Sequence, residues 1–171
     1  MTIQSFKNGY LTASGYTDAV GSGIASLPDQ DSILGTVDFD PTGNVGFDTF
    51  VQFQMDLGAS MTTASTGTPY VGISCYPIND DASTYGDTRF VSAAAGQPPS
   101  QYQVAQIPML VGTSVAQRGT SQVYPLPFIG VKHRWVVTNW SLGGATFPDS
   151  THGPSGGPPL VRVRYFNPQD I

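Results

Sequence analysis

Residues 51–57, VQFQMDL, alternate strictly between apolar and polar side chains. Successive side chains of an extended chain point to opposite sides, so the apolar residues of this segment share one face. Those residues are Val51, Phe53, Met55 and Leu57. Such a segment is typical of an antiparallel strand that has one side on a core and the other in water.

Composition extends this prediction to the whole chain. The 171 residues include 20 Gly and 14 Pro but no Glu, and only 11% of them are charged, against about 25% in a typical soluble protein. Good helix formers are therefore scarce, whereas β-branched and aromatic residues and turn formers are plentiful. We predict a single all-β domain, an antiparallel β-sandwich of jelly-roll-like type with roughly seven or eight strands.

The predicted strands are unevenly distributed along the chain. Residues 1–48 are sparse in apolar residues and are predicted to form an extended N-terminal arm and the first strands, ahead of a sandwich core at 49–171. Within that core, YVGISCYPI at 70–78 is predicted to form a hairpin with the strand at 50–57. Long Gly/Pro-rich loops are expected at 92–100 and 141–159.

Further strand-length runs occur at 101–110, 120–128, 132–140 and 159–167. Pro108, Pro125 and Pro127 lie in or beside two of these runs. Proline cannot donate a ladder hydrogen bond, so we expect these prolines at sheet edges or strand starts.

Two absences narrow the class of protein. The sequence shows no signal-peptide core and no apolar run long enough to span a membrane, so we expect a soluble protein made in a cytoplasm, with no membrane partner. Cys75 is the one cysteine and cannot form an internal disulfide. It lies in a predicted strand without a basic neighbour, which favours a buried apolar side chain over a reactive thiol.

Charge is asymmetric along the chain. Residues 1–88 carry one Lys and ten Asp, whereas residues 89–171 carry six Lys or Arg and two Asp, for a net charge of -5. The asymmetry suits docking between an acidic and a basic surface of different molecules, but the two halves of a sandwich can also compensate each other within one molecule. The net negative charge argues against a nucleic-acid partner.

The segment NDDASTYGDTRF at 79–90 admits two interpretations. Asp80, Asp81 and Asp87 are weak candidates for a calcium site, since loops can gather carboxylates without a fixed pattern. The late Glu of a helical calcium loop is missing, however, and Asn, Asp, Ser and Gly are the usual turn formers. We therefore favour a structural turn, and we predict neither a metal nor another cofactor.

Catalytic chemistry has little support in the sequence. The only histidines are His133 and His152, no Glu can partner them, and no nucleophile, zinc or phosphate-binding motif occurs. We predict that the protein is not an enzyme. His133, between Lys132 and Arg134, is predicted to be a surface or interface residue.

Aromatic and basic residues are the candidate contacts. Trp135 and Trp140 are five positions apart in one extended run and should face opposite sides, with Trp135 in the core and Trp140 free to contact a partner or stack on a sugar ring. A basic stripe is predicted to dock on an acidic surface of a partner or on a neighbour's aspartates. Its members are Lys132, Arg134, Arg162 and Arg164.

The order of segments over residues 45–171 resembles that of small virion proteins of tailed bacteriophages. The matching stretches are Asp81–Asp87 in the aspartate-rich loop, Leu126–Phe128, Trp135–Asn139 and Arg162–Asn167 in the final strand. The resemblance implies a viral structural protein: a jelly-roll head decoration, or cement, protein on the capsid exterior of the virion. Its implied partners are the major capsid protein and further copies of itself in a dimer or trimer.

Two alternatives share the same architecture. A carbohydrate- or receptor-binding sandwich of a tail fibre or spike would use exposed aromatic residues and loop aspartates, because one fold hosts many functions. A tail or connector subunit would be present in few copies per particle. Copy number and dependence on a glycan distinguish these alternatives from decoration.

Overall fold

A computed structural model shows the architecture of the chain. It describes residues 4–8, 16–20, 24–39, 50–63, 66–77, 98, 100–112, 115–127, 132–152 and 156–170. Over these residues the regular structure consists of β-strands and short 3₁₀ turns. The predicted all-β class is confirmed.

Within the described residues, ten strands form two antiparallel sheets that pack face to face. Sheet A contains β1 (Gln4–Asn8), β2 (Thr17–Asp18), β4 (Phe50–Met61), β7 (Val115–Thr120), β8 (Tyr124–Pro125) and β10 (Leu160–Asp170). Sheet B contains β3 (Ser32–Leu34), β5 (Tyr70–Pro77), β6 (Gln103–Pro108) and β9 (His133–Trp140). The strand order is β1-β10-β4-β7 in sheet A, with β2 beside β10 and β8 beside β4, and β3-β9-β5-β6 in sheet B.

The core lies between the inner faces of the two sheets. Sheet A contributes the alternating residues of β4 predicted from the sequence, all of them buried, together with Val161, Val163 and Tyr165 of β10. Sheet B contributes Ile73 and Trp135, and the Trp135 ring packs edge-on against Phe53 with centroids 4.8 Å apart. The predicted antiparallel β-sandwich is therefore confirmed.

The predicted hairpin of 50–57 with 70–78 is wrong. Strand β4 pairs with β10 and β7 in sheet A, whereas β5 pairs with β6 and β9 in sheet B. Both sheets of a sandwich bury one face, so strands of either sheet show the same period of two. Alternation identifies the buried face of a strand but not the strand beside it.

The N-terminal segment, expected to form an arm and the first strands, contains strands where the structure describes it. Strand β2 pairs with β10 and β3 pairs with β9, so the described part of residues 1–48 supplies strands to both sheets. Its apolar side chains, including Val20, Ile24 and Phe39, are buried in the core. Residues 16–20 and 24–39 are thus an integral part of the sandwich and do not project as an arm.

The prolines confirm the predicted edges. Pro108 ends β6, an edge strand of sheet B, and Pro125 belongs to the two-residue β8, whose one partner among the described strands is β4. An edge strand tolerates proline because one side of its ladder is unpaired. Pro127 follows β8 outside the strand.

Candidate interaction surfaces

The outer face of sheet A carries arginines on two strands. Arg162 and Arg164 alternate with buried valines on β10 and so point away from the core, and Arg118 projects from β7. We call this surface the arginine face and define it by seven residues of β4, β7 and β10. They are Gln52, Gln54, Asp56, Arg118, Thr120, Arg162 and Arg164.

Arg164 is fixed in place by its neighbours. Its Nε and Nη2 donate hydrogen bonds of 3.0 and 2.6 Å to Oε1 of Gln52, and its guanidinium lies 4.8 Å from the centroid of the Tyr16 ring. The Tyr16 hydroxyl donates to the same Gln52 oxygen at 3.0 Å. Burial raises the pKa of Tyr16, and the nearby Arg164 charge partly opposes that shift. Arg164 is therefore committed to contacts within the molecule.

Arg162 and Arg118 are more accessible. Arg162 is exposed, stands opposite Gln54 on β4 and Asp18 on β2, and makes no ion pair among the described residues. Arg118 donates from Nε to Oδ1 of Asp56 at 3.1 Å, although its side chain remains 68% exposed. An exposed ion pair of this kind contributes little to stability, so both guanidinium groups can engage a partner.

The predicted basic stripe is divided between the two sheets. Arg134 lies on the outer face of β9 in sheet B, whereas Arg162 and Arg164 lie on the outer face of β10 in sheet A. The outer faces of two packed sheets point in opposite directions, so the four basic residues do not form one surface. Lys132 and Arg134 instead share Asp38, with Lys132 Nζ 3.1 Å from Oδ2 and Arg134 Nε bonded to Oδ1.

His133 is buried, contrary to the prediction of a surface position. Its Nε2 lies 2.9 Å from the Tyr165 hydroxyl, which also accepts a 2.8 Å hydrogen bond from Trp135 Nε1. Its ring stacks on Phe39 with centroids 5.8 Å apart. Neighbouring side chains of a strand point to opposite faces, so His133 points inward because Arg134 points outward. The alternation that places His133 inward was present in the sequence.

A groove lies on the outer face of sheet B. We call it the tryptophan groove; it has a volume of about 270 Å³. Its lining comprises Tyr70, Gly72, Ser74, Pro98, Ser100, Gln103, Thr138 and Trp140. The Tyr70 and Trp140 rings, opposite each other on β5 and β9, stack with centroids 5.8 Å apart and planes inclined by 26°.

The two tryptophans face opposite sides of the strand, as predicted. Trp135 is fully buried between the sheets, whereas Trp140 is partly exposed on the opposite face of the same strand. Gly72 makes room for the indole of Trp140: a Cβ on Gly72 would lie 3.2 Å from Trp140 Cδ1 and 3.3 Å from Nε1. The Trp140 ring therefore lies across β5 at a position that has no side chain.

Asn139, the residue before Trp140, was not singled out by the sequence. It is fully buried, and its Nδ2 donates to the carbonyl oxygens of Leu27 and Ala145 at 2.9 and 2.8 Å. Its Oδ1 accepts from the backbone N–H of Ser141 at 3.0 Å. Asn139 therefore holds the chain that follows Trp140, although an Asn shortly before Ser and Gly residues predicts only a turn.

Gln117 plays a comparable part at the same end of the sandwich. Its buried side chain accepts from the N–H of Leu110 at 2.8 Å and donates to the Leu110 carbonyl at 3.0 Å, as a neighbouring strand would. Leu110 and Val111 nevertheless expose their own side chains. An isolated Gln between Ala and Arg gave no sequence signal for this role.

The remaining candidates give a mixed result. Asp80, Asp81 and Asp87 lie outside the described residues, and within the described part of the chain no three potential metal ligands come together. Cys75 is buried as predicted, and burial raises the pKa of its thiol well above the usual range.

His152 lies in an exposed loop. Its Nδ1 is 2.6 Å from Oδ1 of Asp149, which also accepts hydrogen bonds from the backbone N–H and hydroxyl of Thr151. The hydrogen bonds from His152 and Thr151 lower the pKa of Asp149 below its ordinary value. These contacts close a local turn.

The comparisons with known proteins add no assignment. No protein-family model matches the chain, and no curated protein is significantly similar to it. Among the helical residues that the structure describes, none belongs to a helix long and apolar enough to cross a membrane.

Proposed function

We propose that the chain is a non-enzymatic structural protein of a bacteriophage virion that decorates the capsid exterior and docks through the arginine face. The observation that carries the proposal is the position of Arg162, which is exposed on a broad polar sheet face and makes no ion pair among the described residues. Arginine is the cation most enriched at protein interfaces, where its planar fork matches a carboxylate.

The neighbours of Arg162 suit a docking surface. Arg164 is held in place by Gln52, which reduces the side-chain entropy that docking would otherwise cost on this face. Arg118 adds a second accessible guanidinium at the far side of β4. The expected partner is an acidic surface of the major capsid protein, or aspartates of another copy in a dimer or trimer.

The topology supports the jelly-roll character that the resemblance implies. The chain crosses repeatedly between the sheets: β2 lies in sheet A, β3 in sheet B, β4 in sheet A and β5 in sheet B. Interleaved sheets with orders β1-β10-β4-β7 and β3-β9-β5-β6 are what two Greek keys in succession produce. A stiff sandwich of this kind can present one face repeatedly over a lattice, where many weak contacts add up.

The charge pairs indicate which basic residues matter most for docking. Lys132 and Arg134 already share Asp38 and would have to give up that partner to bind another carboxylate. Arg162 has no such competitor among the described residues. We therefore assign the main electrostatic contact to Arg162, with Lys132 and Arg134 secondary.

The first test is the copy number and position of the chain in purified particles, by quantitative mass spectrometry and low-resolution imaging. Decoration predicts on the order of hundreds of copies spread over the shell. A few copies at a tail or vertex would contradict decoration and support the fibre, spike or connector alternatives.

The second test is co-sedimentation of purified variants with capsids that lack the protein. Arg162→Glu should weaken binding about tenfold at low salt, because it places a like charge against the acidic partner, and the loss should shrink at high salt. Arg162→Lys should bind more tightly than Arg162→Glu. Gln106→Glu, on the exposed outer face of sheet B, is the control for a negative substitution away from the arginine face. Equal binding of Arg162→Glu and wild type would refute docking through this face.

A further inference from the structure

We propose that the tryptophan groove is a binding site for a single neutral sugar residue, such as a terminal hexose or N-acetylhexosamine of a glycan. The groove is on sheet B, and the arginine face is on the outer side of sheet A. Sugar binding and capsid docking are therefore separate properties, and each can fail without the other.

The apolar part of the groove is an aromatic platform. The Tyr70 and Trp140 rings stack, with their centroids 5.8 Å apart and their planes inclined by 26°. Each ring combines a flat apolar surface with one polar group at its edge. A pyranose ring presents the complementary pattern, since its C–H groups form an apolar face and its hydroxyl groups project around the rim.

The polar part of the groove contains unused hydrogen-bonding groups. Within the part of the chain that the structure describes, the indole N–H of Trp140 and the side-chain amide of Gln103 have no hydrogen-bond partner. Both nitrogens approach the same point, since the position of a Cβ on Gly72 is 3.3 Å from Trp140 Nε1 and 3.5 Å from Gln103 Nε2. Neither nitrogen is a fully buried atom without a partner, so both are accessible to a ligand, and sugar hydroxyl groups can both donate and accept.

The lining also indicates the charge and size of the ligand. None of the described lining residues carries a carboxylate, amine, guanidinium or imidazole, so none of them would pair with a sialic acid, a phosphate or an amino sugar. The volume of about 270 Å³ lies just below the roughly 300–1,000 Å³ of pockets that enclose drug-sized ligands. One ring can occupy the groove while the rest of a glycan remains in solvent.

The test follows the indole N–H signals of the uniformly ¹⁵N-labelled protein during titration with monosaccharides. The chain has two tryptophans, and Trp135 Nε1 is hydrogen-bonded to Tyr165 in the core, so its signal serves as an internal reference. Probes are glucose, galactose, mannose, N-acetylglucosamine, N-acetylgalactosamine and sialic acid, and Trp140→Phe assigns the two signals. We expect at least one neutral sugar to shift the Trp140 signal with saturation, with a Kd on the order of 1–10 mM for so few contacts, while the Trp135 signal stays in place.

Two binding variants and one control keep the proposal falsifiable if Trp140→Phe disturbs the fold. Gln103→Ala should weaken binding of the selected sugar about fivefold or more, whereas Gln122→Ala, the same change at an exposed position outside the groove, should not alter it. Gly72→Ala should also weaken binding, because the new methyl group displaces the Trp140 indole.

Three outcomes would overturn the proposal. They are no saturable shift of the Trp140 signal with any neutral sugar at 100 times the expected Kd, a response to sialic acid alone, and equal affinities of the Gln103→Ala and Gln122→Ala proteins.

Discussion

The two outer faces of the sandwich differ sharply, although the inner faces are built in the same way. On sheet A the outward residues of β10 include the exposed Arg162 and the partly exposed Arg164. On sheet B the outward residues Ser74, Val136 and Thr138 are buried like the core residues beside them. Sheet A therefore has a solvent-facing side, whereas the centre of sheet B is covered on both sides.

The cover of sheet B comes partly from the 3₁₀ turn at Ser100–Tyr102. The Tyr102 ring packs on Tyr76 of β5 with centroids 4.8 Å apart, and both residues belong to a small apolar cluster with Val136 and Leu34. This cluster lies outside the main core, on the other side of the sheet. A segment packed on the outer face of one sheet can therefore bury residues that would be exposed in a sandwich of two sheets alone.

A matched pair of substitutions tests the difference in burial between the two outer faces. Val136→Asp on sheet B should destabilise the protein by about 4 kcal/mol, since it places a charge in a fully buried position without a partner. Gln54→Asp on sheet A should change stability by less than about 1 kcal/mol, because Gln54 is partly exposed and stands opposite Arg162. Chemical denaturation monitored by tryptophan fluorescence measures both values.

Similar losses in the two variants would contradict the difference between the faces. Val136→Thr is the control for side-chain volume at the sheet B position. If Val136→Asp is tolerated as well as Val136→Thr, the outer face of β9 must be open to solvent.

The sequence predicted which residues of the strands face the core, because alternation directly records the buried side. It predicted the sheet edges from Pro108 and Pro125 for an equally local reason, the missing N–H of proline. Strand partners were not predictable from such signals, as β4 and β5 demonstrate. Pairing in a sandwich depends on how the chain crosses between sheets, and a period of two carries no information about that.

The candidate surfaces were predictable only in part, for the same reason. The sequence indicated that Arg162 and Arg164 share a face, and it separated Trp135 from Trp140, because both inferences concern residues within one strand. Whether Lys132 and Arg134 share a surface with the β10 arginines depends on which sheet each strand joins. Strands β9 and β10 lie in different sheets, and the sequence does not show this. The groove depends on the apposition of Tyr70, Gly72 and Trp140 across two strands, which no single segment records.

Two arginines of the arginine face, Arg162 and Arg164, should contribute differently to stability. Arg164→Ala should cost about 1–2 kcal/mol, since it removes two hydrogen bonds to Gln52 and the contact with the Tyr16 ring. Arg162→Ala, two positions earlier on the same strand face, should stay within about 0.5 kcal/mol of wild type. Thermal and urea unfolding of the two variants measures the contrast.

The reverse order of these two losses would show that Arg162, and not Arg164, is committed to the fold. In that case Arg162 would no longer be the group free to dock, and the proposed function would need another contact. Capsid binding of Arg162→Ala then serves as the independent readout.

The smallest expected effect concerns the ion pairs of the two faces. Asp38 joins two cations beside sheet B, Lys132 and Arg134, whose side chains are 29% and 26% exposed. Among the described residues, Asp56 on sheet A pairs with one cation, Arg118, which is 68% exposed. Substitution by Asn keeps the shape of either aspartate and the acceptor that Asp56 offers to the Gly58 N–H, so it isolates the charge.

Asp38→Asn should therefore lower the free energy of unfolding by about 1 kcal/mol, and Asp56→Asn by less than about 0.5 kcal/mol. The difference should narrow in 1 M salt, where the Debye length falls to about 3 Å and the more exposed charges are screened first. Urea unfolding at low and high salt provides the four values that are needed. Equal losses at low salt would mean that the Asp38 cluster is as weakly coupled as a surface pair, which would leave Lys132 and Arg134 as available for a partner as Arg162.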